Sequence, residues 1–179
     1  MRLFAGIELD AATRARCIAV QDRLRATGLD ARYEPGEKLH VTLAFLGRVD
    51  DAQISDVERV LDQTAGAHAP FGLMLDKLGA FPHERRPRVI FIGARAQGAP
   101  FRMLANDLHT RYAALGFRFD DDAVAHVTIA HVKGGSTRPL PLLDVAPIEL
   151  RIAQLALFES LPEGATTRYI VRRVSAMKS

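Results

Sequence analysis

The chain is poor in cysteine and has no tryptophan. Cys17 is the single cysteine in 179 residues. No intrachain disulfide can form, a thiolate-held metal cluster is excluded, and a reducing cytoplasm is the simplest home. No apolar run approaches the roughly 20 residues that a membrane-spanning helix needs. The first ten residues turn acidic at Glu8, too early for a signal peptide, so no membrane association is expected. Neither a phosphate-cradling loop ending in Gly-Lys-Ser/Thr nor a dinucleotide-type glycine fingerprint occurs, which leaves ATP or NAD dependence without support and no cofactor expected.

What is present is an ordinary globular mixture, 48% hydrophobic and 25% charged, with a net charge of +3. Only four of the 24 basic residues are lysine (38, 77, 133 and 178), so arginine supplies the other 20. Guanidinium suits bidentate phosphate contact better than ammonium does, although an arginine-rich proteome would give the same excess. The charge permits an anionic substrate without demanding one.

Hydrophobic periodicity and turn residues predict an α+β chain. Residues 2–9 read as a buried strand. Asp10 then caps a helix running to about residue 25, with Ile18 and Leu24 on its inner face and Gly28 ending it. Residues 39–46 form a strand closed by Gly47, and Asp50 or Asp51 opens a second helix to about residue 64. Apolar runs near 71–78 and 88–94 flank a turn-rich stretch, a third helix fits 100–115, and strands fit 124–132, 148–158 and 167–174. A helix precedes the strand holding His40, and another precedes the strand holding His126. That repetition predicts a bilobal molecule with two pseudo-symmetric halves, each with an antiparallel sheet and flanking helices around a central cleft. Residues 1–179 then form one bilobal domain.

Two segments carry chemistry: Leu39-His40-Val41-Thr42-Leu43-Ala44-Phe45-Leu46 and Ala125-His126-Val127-Thr128-Ile129-Ala130-His131. Strand side chains alternate between faces. Regular alternation sets His40, Thr42 and Ala44 on one face, with Val41, Leu43 and Phe45 on the other. It likewise groups His126, Thr128 and Ala130, with Val127 and Ile129 opposite, and turns His131 away from His126. A single His-x-Thr is uninformative; two copies 86 residues apart, one in each half, are not. Opening a cyclic phosphodiester requires a base to activate water and an acid to protonate the leaving oxygen. Two imidazoles can do both near neutral pH. The threonine hydroxyls, about 7 Å along each strand by its rise, can donate to the non-bridging phosphate oxygens. This scheme needs no metal.

The sequence resembles the two-histidine (2H) phosphoesterase superfamily, and within it the LigT-like bacterial RNA 2′,3′-cyclic phosphodiesterases, also called 2′-5′ RNA ligases. The likeness covers nearly the whole chain. Arg2-Leu3-Phe4-Ala5-Gly6-Ile7 is similar to the family's first strand, and the stretch from Lys38 to Gly47 to its first motif. Leu78-Gly79-Ala80-Phe81-Pro82 and Arg86-Pro87-Arg88-Val89-Ile90-Phe91 are similar to the segment between the motifs, and His126-Val127-Thr128-Ile129-Ala130 to the second. The resemblance implies a bilobal α+β fold with a central cleft. It also implies metal-independent hydrolysis of RNA 2′,3′-cyclic phosphates to 2′-phosphomonoesters, with His40 as proton donor and His126 as proton acceptor. Some members also join or cleave 2′-5′ linkages without ATP. Two positions depart from the family pattern: Ala125 stands where proline is usual, and His131 where arginine is common.

Arg86 and Arg88 are candidate phosphate contacts, with Phe81 and Phe45 as candidate stacking surfaces for a base; a solvated turn beside core phenylalanines would look the same. His68, His83 and His109 have no partner pattern and read as surface or structural residues. The run Asp120-Asp121-Asp122 reads as a solvated loop rather than a cation site. Expected partners are RNA ends or small cyclic nucleotides as substrate, and the internal cleft suggests a monomer. The competing class is a nucleotide- or RNA-binding module with the same cleft and little turnover. Other cyclic nucleotides or a 2′-5′ oligonucleotide are alternative substrates.

Overall fold

The computed structural model describes residues 1–134 and 136–179. Its strands are β1 (Arg2–Glu8), β2 (Ala31–Tyr33), β3 (His40–Arg48), β4 (Phe71–Leu75), β5 (Lys77–Phe81), β6 (Val89–Gly93), β7 (His126–Val132), β8 (Ile148–Ile152), β9 (Gln154–Glu163) and β10 (Thr166–Ala176). Its α-helices are α1 (Ala11–Ala26), α2 (Ile54–Ala67) and α3 (Gly98–Ala113). The run expected as one strand over 148–158 is two, β8 and β9, in different sheets. The short β2 has no periodicity to betray it.

One half of the main sheet is β10-β9-β1-β3 and the other is β5-β6-β7, with β2 also paired to β7. The halves meet where β3 and β7 pair antiparallel through Val41 and Val127. Both valines are fully buried. The two histidine strands are therefore neighbours at the centre of the molecule, and the bilobal arrangement is built around that one contact. Strands β4 and β8 form a separate two-stranded ladder.

The helices cross over. Asp10 caps α1 by accepting the Thr13 N–H at 2.7 Å, and α1 packs on β7 and β8. Helix α3 packs on β3 and β4. The helix preceding each histidine strand thus covers the histidine strand of the other half. Leu24 of α1, Leu104 and Leu108 of α3, and Val41 and Val127 belong to one continuous buried cluster. The inner face of α1 runs through Cys17, Val20, Gln21 and Leu24, with Ile18 at its margin. Among the described residues no helix is long and apolar enough to cross a membrane.

Candidate active site

Antiparallel register about Val41 and Val127 sets His40 across from Thr128 and Thr42 across from His126. The two His-x-Thr motifs lie head to tail, each histidine beside the other motif's threonine. His40 and His126 are diagonal neighbours, about 7–8 Å apart between α-carbons by sheet geometry. The valines between them point to the core, so both pairs point to the opposite, cleft face.

Each ring is fixed in the same way. His40 Nδ1 donates to the Lys38 carbonyl at 2.6 Å, and His126 Nδ1 to the Val124 carbonyl at 2.7 Å. A carbonyl only accepts, so Nδ1 carries the proton in both rings, and each Nε2 is the atom that gains or loses one. His40 Nε2 lies 2.9 Å from Thr42 Oγ1. Each imidazole also sits among aromatic rings. His40 has Phe4 at 4.9 Å, Tyr169 edge-on at 5.3 Å and Phe158 at 5.6 Å. His126 has Phe81 at 5.2 Å and Phe91 at 5.3 Å, both edge-on. Gly79 makes the second box: a Cβ there would collide with the Phe91 ring. Burial among these rings disfavours imidazolium and lowers both histidines below the ordinary 6.5. For His40 the Lys38 carbonyl opposes this, His126 adds to it, and the Glu34 carboxylate opposes it.

Regular alternation fails beyond each threonine. On β3 the pairing with β1 passes from Thr42–Gly6 to Ala44–Ala5, leaving Leu43 unpaired. On β7 the pairing with β6 passes from Thr128–Phe91 to Ala130–Ile90, leaving Ile129 unpaired. Each is a β-bulge three residues after its histidine, and a bulge shifts the later side chains by one face. Ala44 and Ala130 are buried, and Ala44 still lines the cleft beside Thr42 and Phe45. Phe45 is turned out, 69% exposed. His131 likewise comes back to the face of His126, correcting the expectation that it points away.

Both bulges are held from a helix. Gln21 of α1, itself buried, donates its side-chain amide to the Ile129 carbonyl at 2.9 Å and the Glu34 carbonyl at 2.8 Å. His109 of α3 donates to the Leu43 carbonyl at 2.7 Å while stacking on Phe119 at 4.1 Å. Neither residue had a sequence signal.

A cleft of about 710 Å³ opens beside this pair, lined by Thr42, Phe45, Phe81, His109, Arg118, Phe119 and His126 among others. Of the residues expected at the site, Thr42, Phe45, Phe81 and His126 line this cleft, while His40 and Thr128 are not among its lining residues. Arg86 and Arg88 stay exposed on the β5–β6 hairpin, where the Arg86 N–H is turned to His83 and the Arg88 N–H to the Phe81 carbonyl. They are not among the lining residues; Arg118 is. Sequence reading missed it because a lone arginine in a loop has no pattern. Asp120, Asp121 and Asp122 also line the cleft, and among the described residues no three His, Cys, Asp or Glu side chains gather to hold a metal ion.

A family model described as LigT like Phosphoesterase matches residues 7–91. A curated relative from Archaeoglobus fulgidus, named RNA 2′,3′-cyclic phosphodiesterase, is 35% identical over 133 residues, covering 74% of this chain and 73% of its own length. The chain belongs to the LigT-like phosphoesterase family. A second relative of the same name, from Methanothermobacter thermautotrophicus, is 30% identical and covers 77% of this chain and 74% of its own. Among solved structures, one from Thermus thermophilus superposes with a TM-score of 0.86 at 28% identity, covering 99% of this chain and 98% of the other. E. coli LigT complexed with 3′-AMP gives 0.79 at 25% identity with the same coverage. These matches accord with the bilobal α+β architecture.

Proposed function

We propose that this LigT-like phosphoesterase hydrolyses RNA 2′,3′-cyclic phosphodiester ends to 2′-phosphomonoesters, with His126 as the base and His40 as the acid. The observation that carries the reading is the head-to-tail pairing of the two His-x-Thr motifs about Val41 and Val127. It sets the two histidines diagonally across the strand pair, each opposite the other motif's threonine, with His126 and Thr42 lining the cleft. The names of the relatives supply the substrate class.

In this mechanism a water attacks phosphorus in line with the 3′-oxygen. His126 Nε2 takes a proton from the water as the new P–O bond forms. The P–O3′ bond breaks, and His40 Nε2 delivers a proton to the departing 3′-oxygen, leaving a 2′-phosphomonoester and a 3′-hydroxyl. Thr42 and Thr128 donate to the non-bridging oxygens as their charge grows. The assignment of acid to His40 follows the family resemblance. Burial, His126 and Lys38 disfavour the imidazolium form there, the Lys38 carbonyl and the Glu34 carboxylate oppose them, and both histidines are lowered. With a 5′-hydroxyl attacking in place of water, the same groups form a 2′-5′ linkage, and the reverse of that step cleaves it. One chain supplies both histidines, so a monomer is the proposed working unit.

The test is product analysis with a nucleoside 2′,3′-cyclic phosphate. The wild type should release the 2′-phosphomonoester. His40→Ala and His126→Ala should each lose about 10²–10⁴-fold in turnover while keeping their circular dichroism spectra. Binding without product release, or near-normal turnover by either variant, overturns the reading.

A further inference from the structure

A second recess of about 360 Å³, which shares no lining residue with the large cleft, lies next to His40 through Lys38 and Tyr169. It is lined by Arg32, Glu34, Lys38, His131, Thr166, Thr167 and Tyr169, with Gly164 and Ala165 at the rim. It is tied to the catalytic strand at two points. Lys38 supplies the carbonyl that holds the His40 ring, and Tyr169 packs edge-on against that ring.

The charges here are unbalanced. Among the described residues Glu34 is the one carboxylate in the lining. Three nitrogen donors converge on it: His131 Nε2 at 3.0 Å, Lys38 Nζ at 3.4 Å and Arg32 Nη2 at 3.5 Å. One negative charge cannot neutralise both Arg32 and Lys38, whatever the state of His131. The Lys38 side chain is only 9% exposed. Its ammonium also lies 3.4 Å from both Thr166 Oγ1 and Thr167 Oγ1 and 5.0 Å from the Tyr169 ring centre. A partly desolvated cation beside two hydroxyls and an exposed guanidinium is a site for one anion with hydrogen-bond acceptors.

The direction of the chemistry says which anion. With His126 on the water side and His40 on the leaving-group side, the ribose bearing the 3′-oxygen lies toward His40. Its 5′-phosphodiester, the link to the preceding nucleotide, is the next negative charge in the chain. We infer that the Arg32–Lys38–Thr167 recess binds this penultimate phosphodiester, so that the enzyme selects cyclic phosphates at the ends of RNA strands over free cyclic mononucleotides. This rests on the proposed acid and base assignment and adds a substrate preference to it.

The experiment compares three substrates with the same terminal base: a nucleoside 2′,3′-cyclic phosphate, a dinucleotide ending in that group, and the same dinucleotide with an uncharged methylphosphonate link. Wild-type kcat/KM should favour the charged dinucleotide over the mononucleotide by about tenfold or more, and the methylphosphonate should lose most of that gain. In Arg32→Ala and in Thr167→Val the ratio of charged dinucleotide to mononucleotide should fall toward one. Equal rates on dinucleotide and mononucleotide overturn the proposal. So does a methylphosphonate as good as the charged dinucleotide, since the gain would then come from the added base. So does a ratio that neither variant moves. A wild type that cleaves the mononucleotide well but shows no preference leaves the phosphodiesterase reading standing. One that cleaves none of the three removes both.

Discussion

His109 Nε2 donates to the carbonyl of Leu43, the residue that β3 pushes out of register, and through that bond α3 governs the aim of Phe45 two residues later. The bond is 2.7 Å and spans 66 residues of chain. His109→Phe keeps a ring to stack on Phe119 but leaves the Leu43 carbonyl unpaired. It should cost about 1–3 kcal/mol in stability and raise KM more than it lowers kcat, because Phe45 loses its fixed direction. His109→Gln, which can still donate, should recover most of both. Denaturant titration and steady-state kinetics decide it, and wild-type KM in His109→Phe would dismiss the link to Phe45.

Gln21 does the same for the other half, donating to Ile129 and Glu34. Its burial leaves no water to replace those bonds. The Ile129 carbonyl keeps the Glu34 N–H, so Gln21→Leu strips the side-chain donor chiefly from the Glu34 carbonyl and should cost about 1–3 kcal/mol, read from urea unfolding. The crossed helices add a second expectation. Helix α1 packs on β7 and α3 on β3, each across the centre, so unfolding followed by fluorescence and circular dichroism should give one coincident transition. Two separated transitions would mean that the halves are independent domains.

Much of this arrangement was legible in the residues, for a physical reason. A β-strand's period of two puts His40 with Thr42 and His126 with Thr128 whatever their surroundings. The caps and breakers Asp10, Gly28 and Gly116 bracket helices by local chemistry alone. The bulges were not legible, because Leu43 and Ile129 are ordinary strand residues whose displacement comes from partners 66 and 108 positions away. That is why Phe45 and His131 were set on the wrong face. The aromatic boxes escaped for the same reason: Phe4, Phe158 and Tyr169 meet His40 only once β1, β9 and β10 have paired.

Phe45 and Phe81 line the cleft from opposite halves. Stacking of a base on an exposed ring is worth about 1–3 kcal/mol. Phe45→Ala should therefore raise KM roughly 5- to 150-fold with a smaller effect on kcat. Phe81 also touches His126 and Phe91, so Phe81→Ala should lower kcat as well. A Phe45→Ala enzyme with unchanged KM would remove Phe45 from substrate contact.

The two imidazoles set the pH dependence. The reactive form has His126 neutral and His40 protonated, so kcat/KM rises as His126 loses its proton and falls as His40 loses its own. Burial among aromatic rings places both ionisations below 6.5, and the bell should therefore peak on the acid side of 6.5. Glu34 is the carboxylate that supports the imidazolium of His40, so Glu34→Gln should move the alkaline limb to still lower pH. Stability follows the same shifts with a definite sign. Below 6.5 the unfolded chain takes up protons that the folded histidines resist, so stability should decline as pH falls through that window. His126→Ala should flatten part of the decline. A rate maximum at neutral or alkaline pH in the wild type would show that burial does not hold both rings below 6.5, and an alkaline limb indifferent to Glu34→Gln would show that His40 is not the acid.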